Sequence, residues 1–292
     1  MYRPDQWEIL SEINSVACVT AVSLIFGRKL AGVEGQVFYS RGIVLAYYVL
    51  TLVFVFIACM AVSTNNGNML SCQLGFYNSV IVYSLAKILL YCYLIEKVFL
   101  MSVPKISRRR SPMYMVGVAL LLPYIAVVLL MILNPFIELD SEAPYHCTIG
   151  YGLMGSVPAL CYDVFLTTLS ASFFLKSYFF PSIAQKNSNL LGALKIKAKR
   201  NLVVSMVACL TAIFSRLLLI LLGGRERGLV MLSVCTLHLT IVSCVLHWVT
   251  SHPMELRYIE HFSPKGDNDK PLKLEIRQHQ EVVVLTELNG RT

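Results

Sequence analysis

Among the ionisable side chains that interrupt long apolar stretches of this chain are Lys87, Asp163, Arg216 and His238. Where such stretches cross a bilayer, each charge is costly, by at least about 2.5 kcal/mol at the helix centre on insertion scales. Residues of this kind persist where they pair, hold a ligand or move a proton. Lys87 and Asp163 fit all three uses: a buried ion pair that fixes helix packing, an anchor for a charged ligand or ion, or, with His238, a proton relay. His238 and His247 otherwise read as hydrogen-bonded residues inside a helix bundle. Arg216 lies about a turn and a half from the end of its stretch, so it is expected to snorkel to the nearer membrane surface. Glu8 and Glu12, spaced i, i+4, share one helix face. That face could meet a cationic ligand or Arg225 and Arg227; a solvated face is the simpler reading.

Other chemistries fail on residue type. A retinal pigment of the microbial type needs a Schiff-base lysine in its last helix, and the last apolar stretch here contains none. There is no phosphate-binding loop, no Gly-x-Ser-x-Gly and no His-Glu-x-x-His. His247 and His252 are five residues apart with no carboxylate paired to them on the same helix, a weak zinc signal. No enzymatic activity, metal or cofactor is expected.

The elements that must position these groups follow from composition. Of 292 residues, 56% are apolar and 14% charged, against roughly 25% charged in an ordinary soluble domain. The chain cannot build a charged shell. Disorder, collagen and a disulfide-stapled secreted scaffold are excluded on the same grounds. A membrane-spanning helix needs about 20 mainly apolar residues, and seven stretches qualify: Trp7–Phe26, Gly42–Ser63, Cys72–Met101, Met113–Asn134, Gly152–Phe179, Asn201–Leu222 and Leu229–Thr250. The first is interrupted by Glu8, Glu12 and Asn14, so an interfacial helix and six spans are the alternative. No cleavable signal peptide is expected, because the charged Met1–Asp5 start leads into no short apolar core.

Twelve basic residues fall in the odd-numbered loops and three on the other side, at Arg3, Arg225 and Arg227. The positive-inside rule then puts the N-terminus outside and the C-terminus inside. Orientation accounts for most of the +8 net charge, and nucleic acid need not be invoked. Residues 1–250 form the transmembrane domain, and 251–292 a polar cytosolic tail. The tail opens with a short amphipathic segment, Pro253–Phe262, suited to the inner leaflet. Its later Glu281–Thr286 run is strand-like, a partner motif or simply unstructured.

Nine cysteines are present. Seven lie within the apolar stretches, where a free thiol behaves as a small hydrophobe. Cys72 and Cys147 alone fall at the outer surface, in the oxidising compartment. They are the natural disulfide pair, tying Pro135–Tyr151 over the mouth of the bundle.

An outside N-terminus, seven helices, and a cysteine atop helix three matched by one in the second outer loop resemble a G-protein-coupled receptor. Glu96-Lys97, 24 residues beyond Cys72, resembles the acidic–arginine pair of that family, with lysine for arginine. The string Tyr93-Leu-Ile-Glu-Lys-Val98, the aspartate of helix five and the basic start of helix six are similar to a group of fungal receptor-like membrane proteins. The chain departs from the pattern in two places: helix seven ends Ser251-His252-Pro253-Met254 without Asn-Pro-x-x-Tyr, and helix six has no proline. The resemblance implies an all-α, receptor-like seven-helix bundle in the plasma membrane. It further implies an extracellular small-molecule or peptide ligand and a heterotrimeric G protein at the inner face.

In that fold helices three and five are neighbours. Lys87 lies about 22 Å below Cys72 and Asp163 about 16 Å into helix five, at 1.5 Å per residue, so they should meet near the midplane. At the inner face Lys97 is expected to snorkel inward, while Glu96 pairs with it or with Lys199 or Arg200. Lys195, Lys197, Lys199 and Arg200 form a basic surface for a G protein. The alternative function is a transporter or channel with a Lys87, Asp163 and His238 pathway, although internal repeats and broken helix pairs are absent from the sequence. An epitope tag after Thr292 is expected to stain only permeabilised cells; staining of intact cells would reverse the topology.

Overall fold

The computed structural model describes residues 6–31, 39–64, 68–102, 111–139, 147–150, 152–180, 188–221 and 226–251. Among these residues, seven helices are long and apolar enough to cross a membrane. We number them one to seven: Gln6–Ala31, Tyr39–Ser63, Met69–Met101, Pro112–Leu133, Gly152–Phe179, Ser188–Leu221 and Gly228–Thr250. Large apolar side chains such as Leu24, Phe56, Met60, Leu122, Leu210 and Phe214 are exposed on the outside, while Lys87, Glu96, Asp163 and Arg216 are buried. A soluble protein has the opposite arrangement. The chain is an all-α integral membrane protein.

Helix three is the axis. It packs on helices two, four, five, six and seven, while one contacts two and seven and the most extensive contact joins five to six. Polar side chains staple these neighbours to one another's backbones. Asn14 of helix one donates to the Ser233 carbonyl of helix seven at 3.3 Å, and Tyr47 of helix two to Leu239 at 3.4 Å. Ser205 of helix six donates to Thr167 of helix five at 2.8 Å, and Tyr162 of helix five to Leu120 of helix four at 2.6 Å. In lipid the apolar effect does not favour helix–helix contact, so such bonds, averaging about 0.6 kcal/mol each, carry part of the association. Asn14, which weakens the first stretch as a span, thus has a partner. Helix one is a member of the bundle, continuous over Gln6–Ala31.

Two helices carry irregularities with local causes. Helix three widens to a π-helix over Asn78–Val82, where the Asn78 amide donates to the Phe54 carbonyl of helix two at 3.0 Å. Helix four breaks at Leu120–Leu121, just before Pro123, which supplies no backbone N–H. Tyr162 takes its hydrogen bond at that break. Gly117 lets helix four approach helix three: a Cβ there would stand 2.8 Å from Ile95 Cγ2.

One end of the bundle is capped by a small antiparallel sheet of order β1-β2-β3, comprising Phe136–Leu139, Cys147–Gly150 and Glu226–Arg227. Leu139 pairs with Cys147 and Phe136 with Gly150; Ile149 pairs with Glu226. Cys147 is disulfide-bonded to Cys72 with Cα atoms 5.8 Å apart. Cys147 and Ile149 are buried against Phe76, Val80 and Met231. The sequence reading foresaw a tied loop over the bundle, and a hairpin is found.

Helix six differs more. It begins at Ser188, so Lys195, Lys197, Lys199 and Arg200 are helical, where a loop was expected. The segment Ser188–Arg200 is rich in leucine, alanine and lysine, strong helix formers that need no apolar run to continue a helix. Within the tail, Pro253–Phe262 and Glu281–Thr286 lie outside the described residues.

The disulfide bridges a sequence separation of 75, which in the chain-entropy account is worth at most about 4.5 kcal/mol. Reductant is expected to lower the melting temperature of the detergent-solubilised protein by several degrees, and Cys72→Ala with Cys147→Ala should match it. Superimposable melting curves would mean that the hairpin holds through its apolar contacts alone.

Candidate functional site

Helix three presents Tyr83, Lys87 and Tyr91 at i, i+4 and i+8, on one face. Opposite them, eleven residues into helix five, stands Asp163, fully buried. Lys87 Nζ lies 2.8 Å from Asp163 Oδ2, as the depth of the two residues leads one to expect. The Tyr91 hydroxyl donates to the other carboxylate oxygen, Oδ1. The backbone carbonyl of Asp163 accepts from Thr167 Oγ1 at 2.7 Å. Each oxygen of the carboxylate therefore has its own donor on helix three.

The third member of this hub corrects the sequence reading. Arg216 does not snorkel to the surface: it is 1% exposed and its Nε stands 3.8 Å from Asp163 Oδ2. Snorkelling serves a lipid-facing residue, whereas this helix-six arginine faces inward, where a carboxylate offers more than the interface. Its guanidinium also lies over the Tyr83 ring at 5.4 Å, and Lys87 Nζ approaches the same ring at 5.5 Å. An aromatic face attracts cations, more so when they are desolvated. Tyr83 further meets Phe54 of helix two at 6.0 Å and His238 of helix seven at 5.7 Å between ring centres. Five helices converge here.

His238 is buried, and neither ring nitrogen has a well-aligned hydrogen-bond partner among the described residues. The Thr211 backbone of helix six stands close enough to act on the ring, a looser contact than the hydrogen bond expected. The Tyr83 hydroxyl has no such partner either. His247, by contrast, lies 3.4 Å from the Ser251 hydroxyl.

At the opposite end from the hairpin the expected pairs rearrange. Lys97 is buried at 5% exposure beside the fully buried Glu96, and its ammonium lies over the Tyr93 ring at 5.2 Å. It does not snorkel, since Tyr93, a turn before it, gives the charge an aromatic face within the bundle. Arg200 turns away from helix three: it donates to the Trp248 carbonyl at 2.7 Å and covers the indole at 4.3 Å. Lys199 is exposed. Neither forms the expected ion pair with Glu96. The bond that does join helices three and six at this end runs from the Tyr93 hydroxyl to Asn201 Oδ1 at 3.0 Å, and the Asn201 amide returns to the Lys197 carbonyl. Tyr83, Tyr91 and Asn201 were not singled out from the sequence, and Tyr93 only as the start of the Tyr93–Val98 string. The four-residue spacing of Tyr83, Lys87 and Tyr91 was the available signal.

The other candidates fall apart spatially. Glu8 is half-buried and Glu12 exposed on helix one, and Arg225 lies outside the described residues. Lys195 and Lys199 share an exposed face, while Lys197 is half-buried. Among the described residues no group of three His, Cys, Asp or Glu side chains gathers as a metal site. A cleft of about 320 Å³ lies between helices three, four and five near Ile95, Phe99, Val116 and Phe173. No charged side chain lines it, so it offers shape without chemistry.

No protein-family model matches the chain, and no curated protein is significantly similar to it.

The hub makes an asymmetric prediction. Asp163→Asn leaves two buried cations facing each other without their carboxylate and should cost about 3–5 kcal/mol. Lys87→Met leaves Asp163 beside Arg216 and should cost clearly less, about 1.5–3 kcal/mol for one charged hydrogen bond. Thermal unfolding of both variants in detergent measures the difference; equal losses would mean that Arg216 does not share the carboxylate.

Proposed function

We propose that this chain is a receptor-like membrane sensor, with its hairpin end outside, that responds to an extracellular ligand and signals through a heterotrimeric G protein at its basic end. The observation that carries the reading is the double connection between helices three and six. At mid-bundle they meet through Asp163, which Lys87 and Arg216 both face. At the basic end they meet through Tyr93 and Asn201. A ligand that favours a different packing of the hub changes the helix three–six angle, and the Tyr93–Asn201 hydrogen bond at their basic ends lies in the path of that change. A two-state bundle of this kind responds to any ligand with differential affinity for its states. The exposed Lys195 and Lys199 would then face the G protein. The resemblance of the Tyr93–Val98 string to fungal receptor-like proteins points the same way.

A transporter is the second reading, and the buried His238 beside the hub is what favours it. Against it, helix three carries buried apolar residues on either side of the hub, Phe76 and Val80 toward the hairpin and Leu90 and Leu94 toward the basic end.

The test is nucleotide exchange on a panel of heterotrimeric G proteins by the purified full-length chain in nanodiscs. Tyr93→Phe is expected to raise ligand-independent exchange several-fold, and Lys195→Glu with Lys199→Glu to reduce it. Unchanged exchange in both variants, with intact protein, would overturn the receptor reading. Ion flux in liposomes that disappears in Asp163→Asn would put the transporter in its place.

A further inference from the structure

The cleft between helices three, four and five has a local cause. Helix four breaks at Leu120–Leu121, and its two halves take different neighbours: Leu122–Leu133 packs on helix five, while Pro112–Ala119 packs on helix three. Gly117 permits the second contact, since it leaves room for Ile95. The first half of helix four therefore stands off from helix five, and the gap holds about 320 Å³, roughly twice the 150 Å³ apolar cavity that takes up benzene. Among the described residues its lining is apolar except for Ser170, whose hydroxyl donates back to the Leu166 carbonyl at 2.9 Å. The wall from Pro112 to Leu120 is about 12 Å long at 1.5 Å per residue, and one leaflet of hydrocarbon is about 15 Å deep. The cleft thus spans one leaflet, from the basic boundary to near the middle of the bundle. Helix five lines it with Leu166, Leu169, Ser170 and Phe173, and the same helical stripe continues to Lys176, which is exposed. Lys176 lies about 20 Å along the helix from Asp163, beyond the hydrocarbon. The eight residues between helices three and four, which lie outside the described residues, add the same sign: Lys105, Arg108, Arg109 and Arg110.

We propose that this cleft binds one acyl chain of an anionic phospholipid from the leaflet at the basic end, with the lipid phosphate against Lys176. A hydrocarbon chain needs shape and no hydrogen-bond partner, which is what these walls provide. An unfilled groove of this size would forfeit dispersion contacts along both walls, and hydrocarbon is the medium at this depth. A sterol would fill the same space but brings no charge for Lys176 to meet. Phosphate oxygens accept from an ammonium group, and anionic headgroups gather where basic residues flank membrane helices. The bound chain would touch Phe99 on helix three, Val116 on helix four and Phe173 on helix five, and so complete the packing that the break in helix four leaves open. The inference rests on the chain crossing a membrane and not on the receptor reading; a sensor and a transporter alike would hold the lipid.

The test is native mass spectrometry of the full-length protein released from detergent. The protein is first titrated with phosphatidylglycerol or phosphatidylcholine carrying the same palmitoyl and oleoyl chains, or with cholesterol. One phosphatidylglycerol is expected to be retained per protein, several-fold more tightly than phosphatidylcholine. Lys176→Gln should bring phosphatidylglycerol down to the level of phosphatidylcholine and leave the latter unchanged. Ser170→Phe from helix five, or Val116→Phe from helix four, puts a ring into the cleft and should weaken retention of both phospholipids several-fold. Lys176 is exposed, so its variant decides the matter even where the cleft variants fail to fold. Equal retention of the two phospholipids by the wild type overturns the proposal, as does phosphatidylglycerol retention that Lys176→Gln leaves unchanged. Retention unaltered in a folded Ser170→Phe or Val116→Phe also overturns it, since the lipid then sits elsewhere. Cholesterol that displaces phosphatidylglycerol and is indifferent to Lys176→Gln would make the cleft a sterol site instead.

Discussion

A carboxylate inside a bilayer-spanning bundle must be matched, and the matching of Asp163 organises this fold. The cost of an unpaired charge at that depth exceeds the value of any single interhelical hydrogen bond by several-fold. Helix five therefore has little freedom in where it stands relative to helix three, because Lys87 and Tyr91 each take one oxygen of Asp163. Helix six is drawn in by Arg216. Tyr83 covers both cations with one ring and passes the contact on to Phe54 and His238. The aromatic residues around the hub are thus part of its electrostatics as well as its packing.

The two ends of the bundle are held by interactions of different strength. At the hairpin end, helix three is covalently attached to β2, and β2 is paired on either side to β1 and β3. Helices four, five and seven, which adjoin those strands in the chain, are gathered there with helix three. At the basic end helices three and six meet through the Tyr93–Asn201 hydrogen bond, and helices six and seven through Arg200, which donates a charged hydrogen bond to the Trp248 carbonyl and covers its indole. Each link of that kind is worth about 0.5–3 kcal/mol and is reversible, whereas the hairpin end is fixed by a covalent bond.

Much of this was legible in the sequence because the bilayer imposes a strong rule. Seven apolar stretches were readable, with bounds that differ by a few residues for all but helix six. The Cys72–Cys147 bond followed from topology, and Lys87 with Asp163 from depth and the neighbours that the family resemblance implied. What was not legible depended on rotation about helix axes. Arg216 sits near a helix end, and sequence position alone does not distinguish lipid-facing from inward. Lys97 and Arg200 were assigned by the same reasoning about depth, and aromatic neighbours, Tyr93 and Trp248, redirected both. The strands Phe136–Leu139 and Cys147–Gly150 are four residues each, too short to show a period; pairing and the disulfide make them strands. Helix six starts early because helix propensity continued where hydropathy stopped.

The sharing of one carboxylate by two cations has a consequence for motion. Breaking a simple buried ion pair leaves both charges bare, a cost of about 3–5 kcal/mol that would lock helices three and five together. With Arg216 Nε 3.8 Å from the oxygen that Lys87 holds at 2.8 Å, Asp163 can pass from one partner to the other. Lys87 leaving Asp163 keeps the Tyr83 ring as a neighbour, and Arg216 closes on the vacated oxygen. The carboxylate is never unpaired along that exchange, so its barrier is lower than that of breaking a lone pair. Helix three would then hold Asp163 through the Tyr91 hydroxyl instead of Lys87, while helix five tightens on helix six. A charged hub that would be a rigid clamp with two members becomes, with three, an element with two arrangements, and two arrangements are the physical requirement for a switch.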